Sequence, residues 1–174
     1  MMDLFSNTSD KYGIAISFSI LAAILSPINI QILLLSGATS VSANILLKMI
    51  MQDPRPYFYN SDYVPVSWDF EYGTPSGHGQ CSTSFYLTAL TLILHEYTVD
   101  FEKPNHKLNF VTKLPKSFWY ILCMMYCLLV SYTRIYTGLH NLEQILAGLC
   151  FGIITHIIVA HLYLTDAIKV FENI

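Results

Sequence analysis

Gly73-Thr74-Pro75-Ser76-Gly77-His78 lies at the mouth of an apolar segment, and its reading decides what the rest of the chain must be. Glycine and proline set a backbone turn, and serine and histidine bring a hydroxyl and an imidazole to the place where a helix begins. Two basic stretches elsewhere make sense only beside it. One runs from Lys48 to Arg55-Pro56, the other from Thr133-Arg134 to His140. The three together read as one phosphate-handling site held by membrane helices.

Composition fits that reading. Of 174 residues, 53% are hydrophobic and only 12% charged, with a mean hydropathy of +0.46. An ordinary soluble domain is about one quarter charged. The length suits one domain spanning 1–174, and the net charge of -3 offers nothing to a nucleic acid. Cys81, Cys123, Cys127 and Cys150 lie mostly in apolar runs without paired metal-ligand spacing, so they read as packing residues. The polar start, Met1 to Tyr12, lacks a cluster of positive charge. No small-residue cleavage site follows the next apolar run, which therefore reads as a retained membrane segment.

Outward from the turn, the chain divides into five apolar helices. Gly13 to Met51 is too long for one crossing, because about 20 residues span a bilayer core. Ser26-Pro27 is the best break, with Ser26 as a candidate cap. This predicts helices near 11–25 and 27–51, the second carrying a small-residue patch, Gly37-Ala38-Thr39-Ser40, suited to close packing. Further helices are predicted over about 79–97, 117–136 and 141–164. The loop from Gln52 to Thr74 is rich in aromatics, among them Tyr57, Phe58, Tyr59, Tyr63, Trp68, Phe70 and Tyr72. They suit a membrane interface or the wall of a pocket equally well.

Alternating helix directions bring all three special stretches to one membrane face. Lys103, Lys107, Lys113, Lys116 and Lys169 fall on the other face. Positive residues favour the cytoplasm, so the site is expected on the non-cytoplasmic side, the lumen or the cell exterior. Asn7-Thr8-Ser9, a glycosylation acceptor pattern, would lie on that same side.

The chemistry follows from the residue types. Lys48 and Arg134 sit near the ends of apolar helices, where a charge either snorkels or faces a polar interior. Convergence of three cations with two histidines favours the interior. Arginine presents a planar fork to phosphate oxygens and lysine a compact charge. Ser76 can donate its hydroxyl, and Gly77 lets the backbone approach a ligand. His78 can protonate a leaving alkoxide, and His140 can attack phosphorus to form a phosphohistidine. That attack needs one ring nitrogen free and the other held, by Gln144 at i+4 or Glu143 at i+3. His95, His106, His156 and His161 lack such surroundings.

At these residues the chain resembles the type 2 phosphatidic acid phosphatase superfamily, which includes glucose-6-phosphatases and vanadium haloperoxidases. Lys48, six residues and Arg55-Pro56 match the first family motif. Pro75-Ser76-Gly77-His78 match the second. Thr133-Arg134, five residues, His140, three residues and Gln144 match the third with two changes. The resemblance implies an all-α membrane bundle of five to six helices. It also implies His140 as nucleophile, His78 as general acid, and Lys48, Arg55, Ser76, Gly77 and Arg134 around the phosphate, with no metal and no cofactor. Thr133 replaces serine and keeps a hydroxyl. Gln144 replaces the aspartate that orients the nucleophile, as glutamine does in glucose-6-phosphatases.

Three functions remain open on the sequence. The first is a membrane phosphatase acting on a phosphomonoester or diphosphate of a lipid. The second is a glucose-6-phosphatase-like enzyme for a sugar phosphate. The third is a catalytically impaired protein of the same fold that binds a phosphorylated lipid or a partner, for which Gln144 is the only support. The lipid bilayer is the expected environment throughout.

Overall fold

The computed structural model describes residues 11–60, 64–65, 70–99 and 114–165. These residues form five helices: α1 Lys11–Ala22, α2 Pro27–Met51, α3 Gly77–Val99, α4 Lys116–Tyr136 and α5 Leu142–Leu164. A 3-10 turn, Pro56–Phe58, lies between α2 and α3, and no strand occurs among the described residues. The fold is all-α. The segment Pro27–Phe58, α4 and α5 are each long and apolar enough to cross a membrane.

α3 is the axis of the bundle and packs against α5, α4 and α2. Its length, roughly 34 Å at 1.5 Å per residue, suits a crossing. It is less apolar than its neighbours because Gln80, Ser82, Thr83, Ser84 and Thr88 are buried on it. α2 answers with a stripe at helical spacing: Ser36, Ser40, Asn44 and Lys48, all buried. Ser36 Oγ lies 2.9 Å from Ser84 Oγ and 3.0 Å from Thr88 Oγ1. Such bonds join helices where lipid offers no hydrophobic drive for association. Below them an apolar cluster of Leu25, Ile32, Leu33, Phe85, Leu92 and Val159 fills the interior. The outward faces are apolar too, with Leu46, Met49, Ile121, Met125 and Ile157 all exposed. Polar groups inside and bare apolar side chains outside are the arrangement a bilayer requires, and the chain is an integral membrane protein.

Several local expectations change. α1 ends at Ala22, short of Leu25, because the chain tightens there into three-residue bonds from Ala23 and Ile24. α3 starts at Gly77, two residues before the expected Gly79. Ser26 does hold the N-cap position of α2, but its side chain caps nothing. The Glu96 carboxylate of α3 secures that helix start from outside, accepting from Ser26 N at 3.2 Å and Asn29 Nδ2 at 2.7 Å. Within the small-residue patch the packing falls to Ser40, which is buried and whose carbonyl accepts from Gln80 Nε2 at 3.2 Å, whereas a Cβ at Gly37 would meet nothing within 4 Å. Close approach occurs instead at Gly148 and Gly152 of α5, where an added Cβ would stand 2.6 Å from the carbonyl oxygens of Ser76 and Gln80 respectively. Which small residues face inward depends on how each helix is rotated in the bundle, and the spacing of small residues alone does not encode that.

Candidate active site

The C-terminal ends of α2 and α4 and the N-terminal ends of α3 and α5 meet at one end of the bundle. Lys48 comes from the last turn of α2, and Arg55 from the loop after it. Ser76, Gly77 and His78 open α3. Arg134 belongs to the last turn of α4, and His140 and Gln144 bracket the start of α5. Lys48, Arg55, Ser76, Arg134, His140 and Gln144 are all buried. The cations therefore face a polar interior and do not snorkel.

Local structure explains how His140 is placed. Gly138 adopts φ +69°, the left-handed conformation that glycine takes without a Cβ penalty. The Leu139 N–H then donates to Arg134 O at 3.1 Å, and the Gly138 N–H donates to Ile135 O at 2.9 Å. This pair of bonds is a Schellman motif, and it ends α4 sharply. The Arg134 carbonyl also accepts from the His140 N–H at 3.2 Å. Asn141 then caps α5, with Gln144 N–H donating to Asn141 Oδ1 at 2.9 Å and Asn141 N–H donating to Gln144 Oε1 at 3.3 Å. That capping box holds the Gln144 amide beside His140.

The Gln144 amide has one consistent orientation. Its nitrogen donates to Asp53 Oδ2 at 2.8 Å and to Pro54 O at 2.9 Å. A flipped amide would set its oxygen against both of those acceptors. Oε1 therefore faces His140 Nδ1, at 3.2 Å, and must accept from it. The proton sits on Nδ1, and the lone pair of Nε2 is left toward Arg55 Nη1 at 3.4 Å. Glu143, the rival at i+3, is exposed. His140 is 2% exposed. Burial first and the Arg55 charge second push its pKa down to about 3, with Lys48 and His78 adding smaller effects against the supporting Gln144 bond. His140 is therefore a neutral imidazole at pH 7, as a nucleophile must be.

The cations are arranged around it. Arg55 is held by Nε donating to Glu71 O at 3.1 Å and Nη1 donating to Leu139 O at 3.4 Å. Lys48 Nζ pairs with the Glu71 carboxylate at 2.5 Å. His78 is half-buried at the start of α3, and its charge acts on His140. Ser76 is fully buried and serves as the cap of α3, with the Gly79 N–H 3.5 Å from its Oγ. Its own N–H donates to Gln144 O at 2.9 Å, tying the turn to α5. Gly77 lies close under Asn44, whose side-chain oxygen would stand 3.2 Å from an added Cβ. Asn44 Nδ2 donates to Pro75 O at 3.1 Å and to Gln80 Oε1 at 2.9 Å, fixing the turn against α2. Thr133, in place of serine, is buried and spends its hydroxyl on Val130 O of its own helix at 2.7 Å.

Four residues of the site were missed by sequence reasoning: Asp53, Glu71, Asn44 and Gly138. Gly138 could have been found as a glycine just past a helix end, and Asn141-x-x-Gln144 as a capping-box pattern. Asp53 and Glu71 leave no such trace. In the aromatic loop Tyr57 is buried, while Phe58, Tyr59, Phe70 and Tyr72 are exposed. Tyr63, Trp68, His106, Lys103, Lys107, Lys113, Lys169 and the Asn7 triplet lie outside the described residues.

The PAP2 superfamily model matches residues 29–167. No curated protein matches the chain. Its fold is similar to the crystal structure of a transmembrane PAP2-type phosphatidylglycerolphosphate phosphatase from Bacillus subtilis. The TM-score is 0.74 at 20% identity, covering 94% of this chain and 75% of that one. With the helix ends, the two histidines and the three cations gathered at one end of the bundle, and the family model spanning most of the sequence, the chain belongs to the PAP2 superfamily.

Proposed function

We propose that the chain is an integral membrane phosphatase that hydrolyses a phosphomonoester or diphosphate of a lipid through a phosphohistidine on His140. The observation that carries this is the clamped amide: Gln144 Oε1 takes the Nδ1 proton, so the Nε2 lone pair is presented toward Arg55. Arg55, Lys48, Arg134, Ser76 and the Gly77 amide hold the phosphate oxygens. His140 Nε2 forms a bond to phosphorus as the bond to the leaving oxygen breaks. The electron pair departs on that oxygen, which takes a proton from His78. The phosphorylated ring keeps its Nδ1 proton on Gln144. A water then gives its proton to His78, its oxygen attacks phosphorus, and the P–N electron pair returns to Nε2.

A lipid substrate is supported by the surroundings. Met49, Ile50, Tyr136 and Leu142 lie on the helix ends that carry the site and are exposed, so bilayer-facing surface reaches the level of the phosphate. The opening faces away from the cytoplasm, on the strength of the lysine-rich opposite loop in the sequence. Gln144 keeps the hydrogen bond to the nucleophile, and what the impaired reading takes as lost is the charge of the carboxylate it replaces.

The test is phosphate release by the purified protein in lipid nanodiscs with a metal chelator present. Phosphatidic acid, phosphatidylglycerol phosphate, a lipid diphosphate and glucose 6-phosphate serve as substrates. Release from a lipid, block by vanadate and loss in His140→Ala are expected. Preference for glucose 6-phosphate would move the assignment to a sugar phosphatase, and normal turnover by His140→Ala would overturn the mechanism.

A further inference from the structure

We propose that Asp53 is a positioning residue for His140, supplying through the Gln144 amide the negative charge that a carboxylate at position 144 would otherwise place beside the ring. This inference rests on the reading of His140 as nucleophile. The connection is continuous: the His140 Nδ1–H donates to Gln144 Oε1, and Gln144 Nε2 donates to Asp53 Oδ2. The oxygen and nitrogen of an amide share one conjugated system. A carboxylate accepting at its nitrogen raises electron density at its oxygen, and serial hydrogen bonds strengthen one another in this way. When His140 gains phosphorus the ring becomes cationic and still holds its Nδ1 proton. Charge therefore develops at the head of this chain just when the carboxylate at its foot can stabilise it.

Asp53 is fixed for the task. Thr74 Oγ1 donates to the same carboxylate oxygen that receives Gln144, and the Asp53 carbonyl accepts from the Gly73 N–H at 2.7 Å. Asp53 sits between the two halves of the first motif, before Pro54-Arg55, and is separated from Gln144 by 91 positions. Among the described residues, the other charged or titratable groups around His140 are Arg55 and Lys48 from the α2 side, His78 from α3 and Arg134 from α4, with Glu71 behind Lys48. Asp53 is the carboxylate that reaches His140 through Gln144.

A purely structural role and an electrostatic one part company in a charge relocation. Asp53→Asn keeps the shape and removes the charge. Gln144→Glu is isosteric and puts a carboxylate directly on Nδ1. We expect Asp53→Asn to lower kcat by about 10- to 100-fold with little change in KM. That is less than the roughly ten-thousand-fold cost of a direct carboxylate-to-amide exchange in a serine-protease triad, because the charge is one group further away and partly exposed to solvent. The double variant Asp53→Asn/Gln144→Glu should recover activity to within about tenfold of wild type, where a structural role predicts losses that accumulate. Ring titration of His140, followed by NMR on histidine-labelled protein and assigned with His140→Asn, gives a readout independent of turnover. The His140 pKa should fall in Asp53→Asn and rise above wild type in the double variant. Wild-type kcat in Asp53→Asn, a double variant no better than that single one, or an unmoved titration would each overturn the proposal. A wild-type protein that releases no phosphate defeats the phosphatase reading, while the titration still decides the role of Asp53.

Discussion

Gly73→Ala is the smallest perturbation that reaches the centre of the site. A Cβ at position 73 would stand 2.2 Å from Gln144 Nε2, 2.6 Å from Cδ and 2.7 Å from Oε1. These are positions no side chain tolerates, and the obstacle is the whole amide head. Gln144 is fully buried and bonded to His140, Asn141, Asp53 and Pro54, so it cannot swing aside without surrendering several hydrogen bonds. The alternative is a shift of the Gly73 turn away from α5, which breaks the Gly73 N–H bond to Asp53 O at 2.7 Å. Overpacking of this kind costs about 1–3 kcal/mol, and each buried bond lost adds about 1 kcal/mol. A total of about 2–4 kcal/mol follows, partly in stability and partly in the placement of the imidazole. If half of it falls on the transition state, kcat drops about 5- to 30-fold, at roughly 1.4 kcal/mol per tenfold. The assay is phosphate release in nanodiscs beside a melting curve of the same preparation. Gly37→Ala is the control, since the same methyl group there meets nothing within 4 Å. Wild-type kcat and Tm in Gly73→Ala would show that the Gln144 clamp is not what holds His140.

Two further outcomes are expected. Gly148→Ala sets a Cβ 2.6 Å from the Ser76 carbonyl and should force α5 from α3, lowering stability by about 1–3 kcal/mol and reducing turnover through the displaced Ser76 turn; an unchanged melting curve contradicts this packing. His140 makes the fold sensitive to acid: its native pKa of about 3 lies below the ordinary 6.5, so the unfolded chain binds a proton that the native ring refuses. The stability it contributes is complete above about pH 6.5 and is lost as pH falls toward 3, by at most about 1.4 kcal/mol per pH unit. His140→Asn should flatten the fall in Tm between pH 7 and pH 5, and parallel curves for the two proteins would refute the shift.

What the sequence determined by itself was the chemistry of each residue and its neighbours along one helix. Alternating apolar runs set the antiparallel helices, and that alternation alone brings Lys48, Arg55, His78, Arg134 and His140 to one end of the bundle. The contact of His140 with Gln144 spans only four positions, so it too could be read from spacing. The tertiary structure decided everything that crosses between elements. Lys48 pairs with Glu71, and Asp53 stands behind Gln144 at a separation of 91 residues, a choice no local pattern carries. Gly148 and Gly152 lie tightly against α3 while Gly37 faces open space, because rotation of each helix about its axis is set by packing against its neighbours. The same holds for Gly73, whose missing side chain matters only because the Gln144 amide occupies that space.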